Sequence, residues 1–320
     1  MQVLKRLVMF SLCLILFAVT LDAQTGNVSS ASDSIFDYSG KQPLDIHDKI
    51  IEDFGAGELH DITYPSPQGG PVAAYLVIPK GKGPFAAILF GHWGNGTRAE
   101  FIPEAKIYAA AGAVALLPDY PWDRPKPWRQ TVEHIDKPEM DRQAEIHAVV
   151  DLRRGIDLLL ARPDVDPRRL AYVGHSYGAQ WGAILSAVDK RIKTAVLMAG
   201  VAAAGDLFFG SDDPGLIELR ESQPAEKLSN YVKVVSDLDA ARFVGRAAPV
   251  ALLLQFANYE QYFNKASMRN YIAAASEPKK VLHYDTGHDL NDPQALQDRY
   301  QWLVDQIGIR PQPIFANSHP

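Results

Sequence analysis

The stretch Tyr172-Val173-Gly174-His175-Ser176-Tyr177-Gly178 decides how this chain folds. It spells G-x-S-x-G directly after the apolar run Leu170 to Val173 and directly before Ala179 to Ala187, which has the composition of a helix. Glycines two before and two after the serine let the backbone turn tightly from strand to helix, which lifts the hydroxyl above a sheet at a helix amino terminus. The pattern alone arises often by chance, and its bland reading is a serine in a turn. Here strand, turn and helix all agree, so the nucleophile reading ranks well ahead.

Working outward, short and nearly all-apolar runs recur: Phe85 to Phe90, Ala113 to Leu117, Leu170 to Val173, Thr194 to Met198, Pro249 to Leu254 and Lys280 to Tyr284. Such runs fit strands covered on both faces, as a parallel sheet requires. His60 to Pro65 and Val72 to Pro79 alternate instead, and the turn-rich Pro67 to Pro71 between them predicts an antiparallel pair. Helical stretches separate the later strands, clearest in Asp141 to Ala161, where Ile146, Val149, Val150, Ile156, Leu159 and Leu160 fall near one face. Further helices are expected over about 100–111, 177–187, 261–275 and 292–307. Strands alternating with helices imply right-handed crossovers, hence one α/β domain with a doubly wound, mostly parallel sheet of about eight strands. Two stretches break the alternation. Residues 120–139 interleave prolines with Trp122 and Trp128, and residues 202–246 are long and polar; both follow carboxyl ends of strands, where ligands of open sheets collect.

A serine hydroxyl is a weak nucleophile until a base takes its proton. His288, in Asp285-Thr286-Gly287-His288-Asp289, sits past the last apolar strand and before the last helix, on the same predicted sheet edge as Ser176. Any other histidine reads by default as a polar loop residue. The base needs a carboxylate to hold its tautomer, and behind this kind of strand-helix turn the order is serine, acid, histidine. The first carboxylate after Pro249 to Phe256 is Glu260, with Asp206, Asp285 and Asp289 as rivals and an exposed helix-start glutamate as the bland reading. For the oxyanion, the amide of Tyr177 follows the nucleophile, and the amide of Trp93 in Phe90-Gly91-His92-Trp93-Gly94 follows the early strand. His92, Trp122 and Trp128 are the expected substrate-binding residues.

These residues give the chain a resemblance to the α/β-hydrolase superfamily, and within it to the dienelactone-hydrolase-like serine esterases. It covers about residues 59–308 and rests on Gly174-His175-Ser176-Tyr177-Gly178, the approach Asp164-Val165-Asp166-Pro167-Arg168-Arg169-Leu170, Phe90 to Gly94 and Gly287-His288. The resemblance implies an eight-stranded sheet, a two-step acyl-enzyme mechanism and no cofactor. Three positions depart from the pattern. Dienelactone hydrolases proper carry cysteine where this chain has Ser176, the usual Gly-x-x-Asp turn reads Ala257-Asn258-Tyr259-Glu260, and the usual His-Gly reads Gly91-His92.

Composition bounds the rest. The 320 residues are 47% hydrophobic and 22% charged, near the soluble globular averages of about 45–50% and about 25%. Lys5 and Arg6 precede an apolar run from Leu7 to Val19 that ends near Ala23, which predicts a cleavable signal peptide over 1–23 and a secreted or periplasmic protein. The run is shorter than the roughly 20 apolar residues of a membrane span, so no stable membrane insertion is expected after cleavage. Residues 24–58 read as an extended lead-in, 59–308 as the catalytic domain and 309–320 as a tail. The one cysteine, Cys13, lies in the leader, so the mature chain offers no disulfide or thiolate. Its formal charge of −6, or −7 without the leader, repels nucleic acid and suits a small, uncharged or cationic substrate, and the expected partner is a small-molecule ester. Trp122, Arg124, Lys126, Trp128 and Arg129 form an aromatic and basic mixture, but the acidic balance makes it a loop anchor rather than a base-stacking surface. No H-E-x-x-H or G-x-G-x-x-G is present, and neither a metal nor a nucleotide is expected. The expected activity is cleavage of a carboxylic ester. A peptidase of the prolyl-oligopeptidase type and an inactive binding protein on the same fold are the alternatives, and the oligomeric state is not legible.

Overall fold

The computed structural model describes residues 33–124 and 134–312. The expected signal peptide, Trp128 and residues 313–320 lie outside them. In chain order the strands are β1 (His47–Asp53), β2 (Gly57–Pro65), β3 (Pro71–Pro79), β4 (Phe85–Gly91), β5 (Ala113–Pro118), β6 (Val165–His175), β7 (Thr194–Met198), β8 (Ala251–Tyr259) and β9 (Lys279–Gly287). The helices are α1 (Ile102–Ala110), α2 (Pro138–Ala161), α3 (Tyr177–Val188), α4 (Ala204–Gly210), α5 (Pro214–Ser222), α6 (Ala225–Val235), α7 (Ala240–Val244), α8 (Lys265–Ala274) and α9 (Pro293–Ile307).

Among the described residues the strands form one sheet in the order β1-β2-β3-β5-β4-β6-β7-β8-β9. The pairs from β1 to β5 across β3 are antiparallel, and every pair from β5 to β9 is parallel. The fold class is therefore as the sequence predicts, with nine strands instead of about eight. The additional strand is β1, inside the segment read as an extended lead-in. All seven of its residues are exposed, so it carries no buried face and leaves no alternation to read.

Period-two alternation divides the core between two faces of the sheet. Leu89, Leu116, Leu170, Leu197 and Leu254 face α2, α3 and α7, whereas Ile88, Ala115, Ala171, Val196 and Leu253 face α1 and α9. Four helices, α4 to α7, replace the polar loop expected at 202–246. Helix α6 shows why its pattern escapes notice: only Leu228, Tyr231 and Val235 are buried, a narrow stripe at helical spacing in a polar segment. The expected tail is anchored at its start, since Ile309 is buried and the Arg310 amide donates to Ala111 O at 2.9 Å.

The face bearing α1 and α9 also contains a buried ion pair. Arg299 of α9 donates to both carboxylate oxygens of Glu104 of α1 at 2.7 Å, and the Tyr108 hydroxyl donates to the same carboxylate at 2.6 Å. Removing one partner strands the other charge in a poorly solvated place, at a cost of about 3–5 kcal/mol. Glu104→Gln should lower unfolding free energy by that order in urea titration. The double variant Glu104→Leu with Arg299→Met should recover most of the loss, because neither charge then remains unpaired.

Candidate active site

Ser176 stands between β6 and α3 with φ 56° and ψ −113°, a conformation that non-glycine residues adopt only under constraint. The constraint is close packing. A Cβ at Gly178 would lie 2.1 Å from Gly91 O, and one at Gly174 would lie 2.4 Å from Gly178 O, so both positions exclude side chains. The Ser176 amide donates to Met198 O at 2.8 Å, and the Tyr172 hydroxyl donates to Gly178 O at 2.7 Å, fastening the turn from both sides. The Ser176 side chain makes no capping bond to α3, which leaves its hydroxyl for other partners.

That partner is His288, whose Nε2 lies 2.9 Å from Ser176 Oγ. Its Nδ1 lies 2.8 Å from Glu260 Oε2 and 2.9 Å from Oε1. Glu260 Oε1 also accepts from the amides of Gln261 at 3.0 Å and Tyr262 at 2.9 Å, so the carboxylate is oriented by backbone before the imidazole arrives. Glu260 follows β8 and His288 follows β9, and the parallel register of these strands with β7 and β6 brings both to the edge where Ser176 stands. The Tyr262 ring packs 4.5 Å from the His288 ring and holds its plane. The rival carboxylates are engaged or remote. Asp206 accepts from Ser267 Oγ at 2.7 Å, Asp285 from Asn258 Nδ2 at 2.6 Å, and Asp289 is exposed.

Ser176 and His288 open on a cleft of about 660 Å³, with Glu260 set behind the imidazole. Trp93, Trp122, Tyr177, Tyr262 and Phe263 form its aromatic walls, while Leu207 of α4 with Leu216 and Leu219 of α5 supply an aliphatic side. The stretch 202–246 thus faces the cleft as expected, through helices where the sequence predicts a loop. Trp122 is fixed there by its indole N–H, which donates to Gly94 O at 3.1 Å.

Two expectations on the early loop change. The Trp93 amide donates to Glu100 Oε2 at 2.8 Å, so a carboxylate seven residues on already holds the proposed second oxyanion donor. His92 is not among the cleft-lining residues. It is buried behind the loop, 4.1 Å from the Tyr120 ring, with Nδ1 bonded to Trp93 O at 2.7 Å. Neither contact is visible in sequence, because each depends on where the loop turns back. His92, Asp119 and Asp123 place one nitrogen and two carboxylate oxygens within 4.8 Å of one another, the donor types a metal takes. Asp119 is already claimed there by Arg98, which donates its amide to Oδ1 at 2.8 Å and sets Nε 3.2 Å from Oδ2.

Burial pushes His92 from its ordinary 6.5 down to about 4, opposed in part by its bond to Trp93 O. His147, buried on α2 beside the Arg124 guanidinium, also falls to about 4, by burial first and that charge second. Between pH 6.5 and about 4 the unfolded chain takes up protons that the folded chain refuses, so stability falls as pH falls through this window. Urea midpoints measured across it should drop. The drop should be smaller in His92→Asn, whose amide keeps a donor near Trp93 O without a titrating ring.

No protein-family model and no curated protein matches the sequence. Solved structures match in shape. An acetyl xylan esterase from a Paenibacillus species has a TM-score of 0.71 at 19% identity, covering 86% of this chain and 92% of that one. Acetyl xylan esterase 1 from a Thermoanaerobacterium species has a TM-score of 0.71 at 16% identity, with 86% and 92% covered. A Klebsiella pneumoniae protein described as a dienelactone hydrolase has a TM-score of 0.55 at 15% identity, with 78% and 98% covered. At such identities the shared property is architecture: the chain has the α/β-hydrolase fold.

Proposed function

We propose that the protein is a serine hydrolase that cleaves a small carboxylic ester through an acyl-enzyme intermediate. The observation that carries this reading is the unbroken chain from Ser176 Oγ through His288 to Glu260, opening on an aromatic cleft. In the first step His288 Nε2 takes the Ser176 proton as Oγ attacks the ester carbonyl, and Glu260 stabilises the imidazolium. The tetrahedral oxyanion is bound by the amide of Tyr177, first residue of α3, and by that of Gly94. Gly94 lines the cleft against the Tyr177 ring, so closely that a Cβ there would lie 2.4 Å from Cδ2. Collapse expels the alcohol, which receives the proton from His288. Water then repeats the sequence on the acyl-enzyme and releases the acid. Chemistry of this kind uses no metal or organic cofactor. The leader predicted over 1–23 supports a secreted or periplasmic site of action.

The cleft volume falls within the range of about 300–1,000 Å³ typical of sites for small ligands. Acetyl to hexanoyl p-nitrophenyl esters should be turned over, and the palmitoyl ester should not. Ser176→Ala should abolish labelling by a fluorophosphonate, and persistent labelling of that variant would refute the nucleophile. Glu260→Gln should lower kcat by about 10³–10⁴-fold through loss of the correct tautomer. Asp206→Asn, whose carboxylate serves Ser267, should stay within tenfold of the parent enzyme.

A further inference from the structure

A second imidazole and carboxylate lie behind the triad and take no part in the proposed chemistry. His175, the residue before Ser176, is buried, and its ring centroid is 5.3 Å from that of His288. Its Nε2 lies 3.0 Å from the backbone carbonyl oxygen of His288, and its Nδ1 lies 2.8 Å from Glu100 Oε1. A carbonyl oxygen only accepts, so Nε2 carries a hydrogen, and another hydrogen lies between Nδ1 and Oε1. The other Glu100 oxygen, Oε2, takes the Trp93 amide at 2.8 Å. One carboxylate and one ring therefore bridge three segments remote in sequence: the loop after β4, the turn that presents the nucleophile, and the loop that carries the base.

The bridge acts on the peptide next to the proposed oxyanion donor. The His92 carbonyl accepts from the Gly178 amide at 3.1 Å, while the Trp93 N–H of the same peptide is held by Glu100. That peptide is pinned at both ends, which fixes the direction in which the next amide, that of Gly94, leaves it. Gly96 gives the bridge room, since a Cβ there would lie 3.2 Å from Glu100 Oε2 and 2.5 Å from the Trp93 ring. Catalytic groups need placement to within about 0.5 Å, and rates fall steeply when it is lost.

The geometry points to Glu100 and His175 as a positioning pair that sets the oxyanion loop and the base against Ser176. This inference rests on the reading of Ser176 as nucleophile. What the pair supplies is reach and hydrogen bonds, not charge. A glutamine at 100 can accept from Trp93 N–H through its oxygen and donate to His175 Nδ1 through its nitrogen. An aspartate keeps the charge but is one methylene too short to meet both partners.

The test compares Glu100→Ala, Glu100→Asp and Glu100→Gln with the parent chain. Steady-state hydrolysis of p-nitrophenyl acetate gives kcat and KM, fluorophosphonate inactivation gives its limiting rate and half-saturation, and thermal melting reports folding. Alanine and aspartate should lower kcat and the limiting inactivation rate about 100-fold, with KM and half-saturation within threefold, by loss of placement. Glutamine should stay within about fivefold of the parent. The proposal is overturned if alanine retains parental kcat, if glutamine falls as far as alanine, or if aspartate matches the parent. Should the alanine variant fail to fold, aspartate against glutamine decides alone. A parent chain that labels at Ser176 yet cleaves no ester would end the esterase reading only, because the inactivation rates still decide the role of Glu100.

Discussion

Three glycines and one serine meet where β4, β6 and α3 converge, and the rest of the site depends on that contact. Gly91, Gly174 and Gly178 approach so closely that a methyl group on any of them would lie 2.0–2.4 Å from a neighbouring atom. Held in this way, Ser176 keeps a backbone conformation that costs of order 1–3 kcal/mol elsewhere. The bonds from its own amide to Met198 O and from the Tyr172 hydroxyl to Gly178 O offset part of that cost. The turn also places the hydroxyl at the amino end of α3, where partial positive charge favours developing negative charge. Relaxing this contact would let Ser176 return to an ordinary conformation and swing its hydroxyl away from His288.

Parallel strands turn a local bend into a site. Because β6, β7, β8 and β9 run side by side in the same direction, their carboxyl ends form one rim, and each following loop adds a side chain to it. Ser176 comes from the first of these loops, Glu260 and His288 from the last two. The proposed acid, Glu260, directly follows β8, which ends at Tyr259, and its carboxylate is fixed by the two amides that follow it. That self-capping arrangement explains how a residue other than the usual aspartate meets Nδ1: the backbone of the loop, not a shorter side chain, sets the carboxylate's position.

How much of this was legible follows from which signals are local. The turn around Ser176, the apolar strands covered on two faces and the order Ser176, Glu260, His288 are written in spacing and composition, and the structure places all three side chains in one hydrogen-bonded chain. Strand β1 was not legible because an edge strand with no buried residue has no hydrophobic period. Helices α4 to α6 leave little periodic signal because their buried stripes are narrow. Helix α5 has no fully buried residue at all, and its Leu216 and Leu219 turn toward the cleft. The roles of His92, Trp93 and Glu100 depend on how one glycine-rich loop doubles back, and nothing at their own positions encodes that path. The distance of His92 and Trp93 along the chain from β4 fixes their neighbourhood but not their direction.

The two histidines next to Ser176 differ in what lies on their nitrogens. His288 has the serine on one side and, on the other, a carboxylate that also accepts from two amides, so the nitrogen proposed to accept the proton faces the Ser176 hydroxyl. His175 has a backbone carbonyl on one side and Glu100 on the other, so both of its nitrogens are spent on structure and neither reaches Ser176 Oγ. The connection between them is the peptide of His288 itself: the proposed base is held through its carbonyl oxygen by the ring of His175. A site built this way couples placement of the base to placement of the loop after β4, because one ring and one carboxylate span both. Motion in either loop must then break one of these hydrogen bonds, which is how a rim made of separate loops gains rigidity from the sheet beneath it.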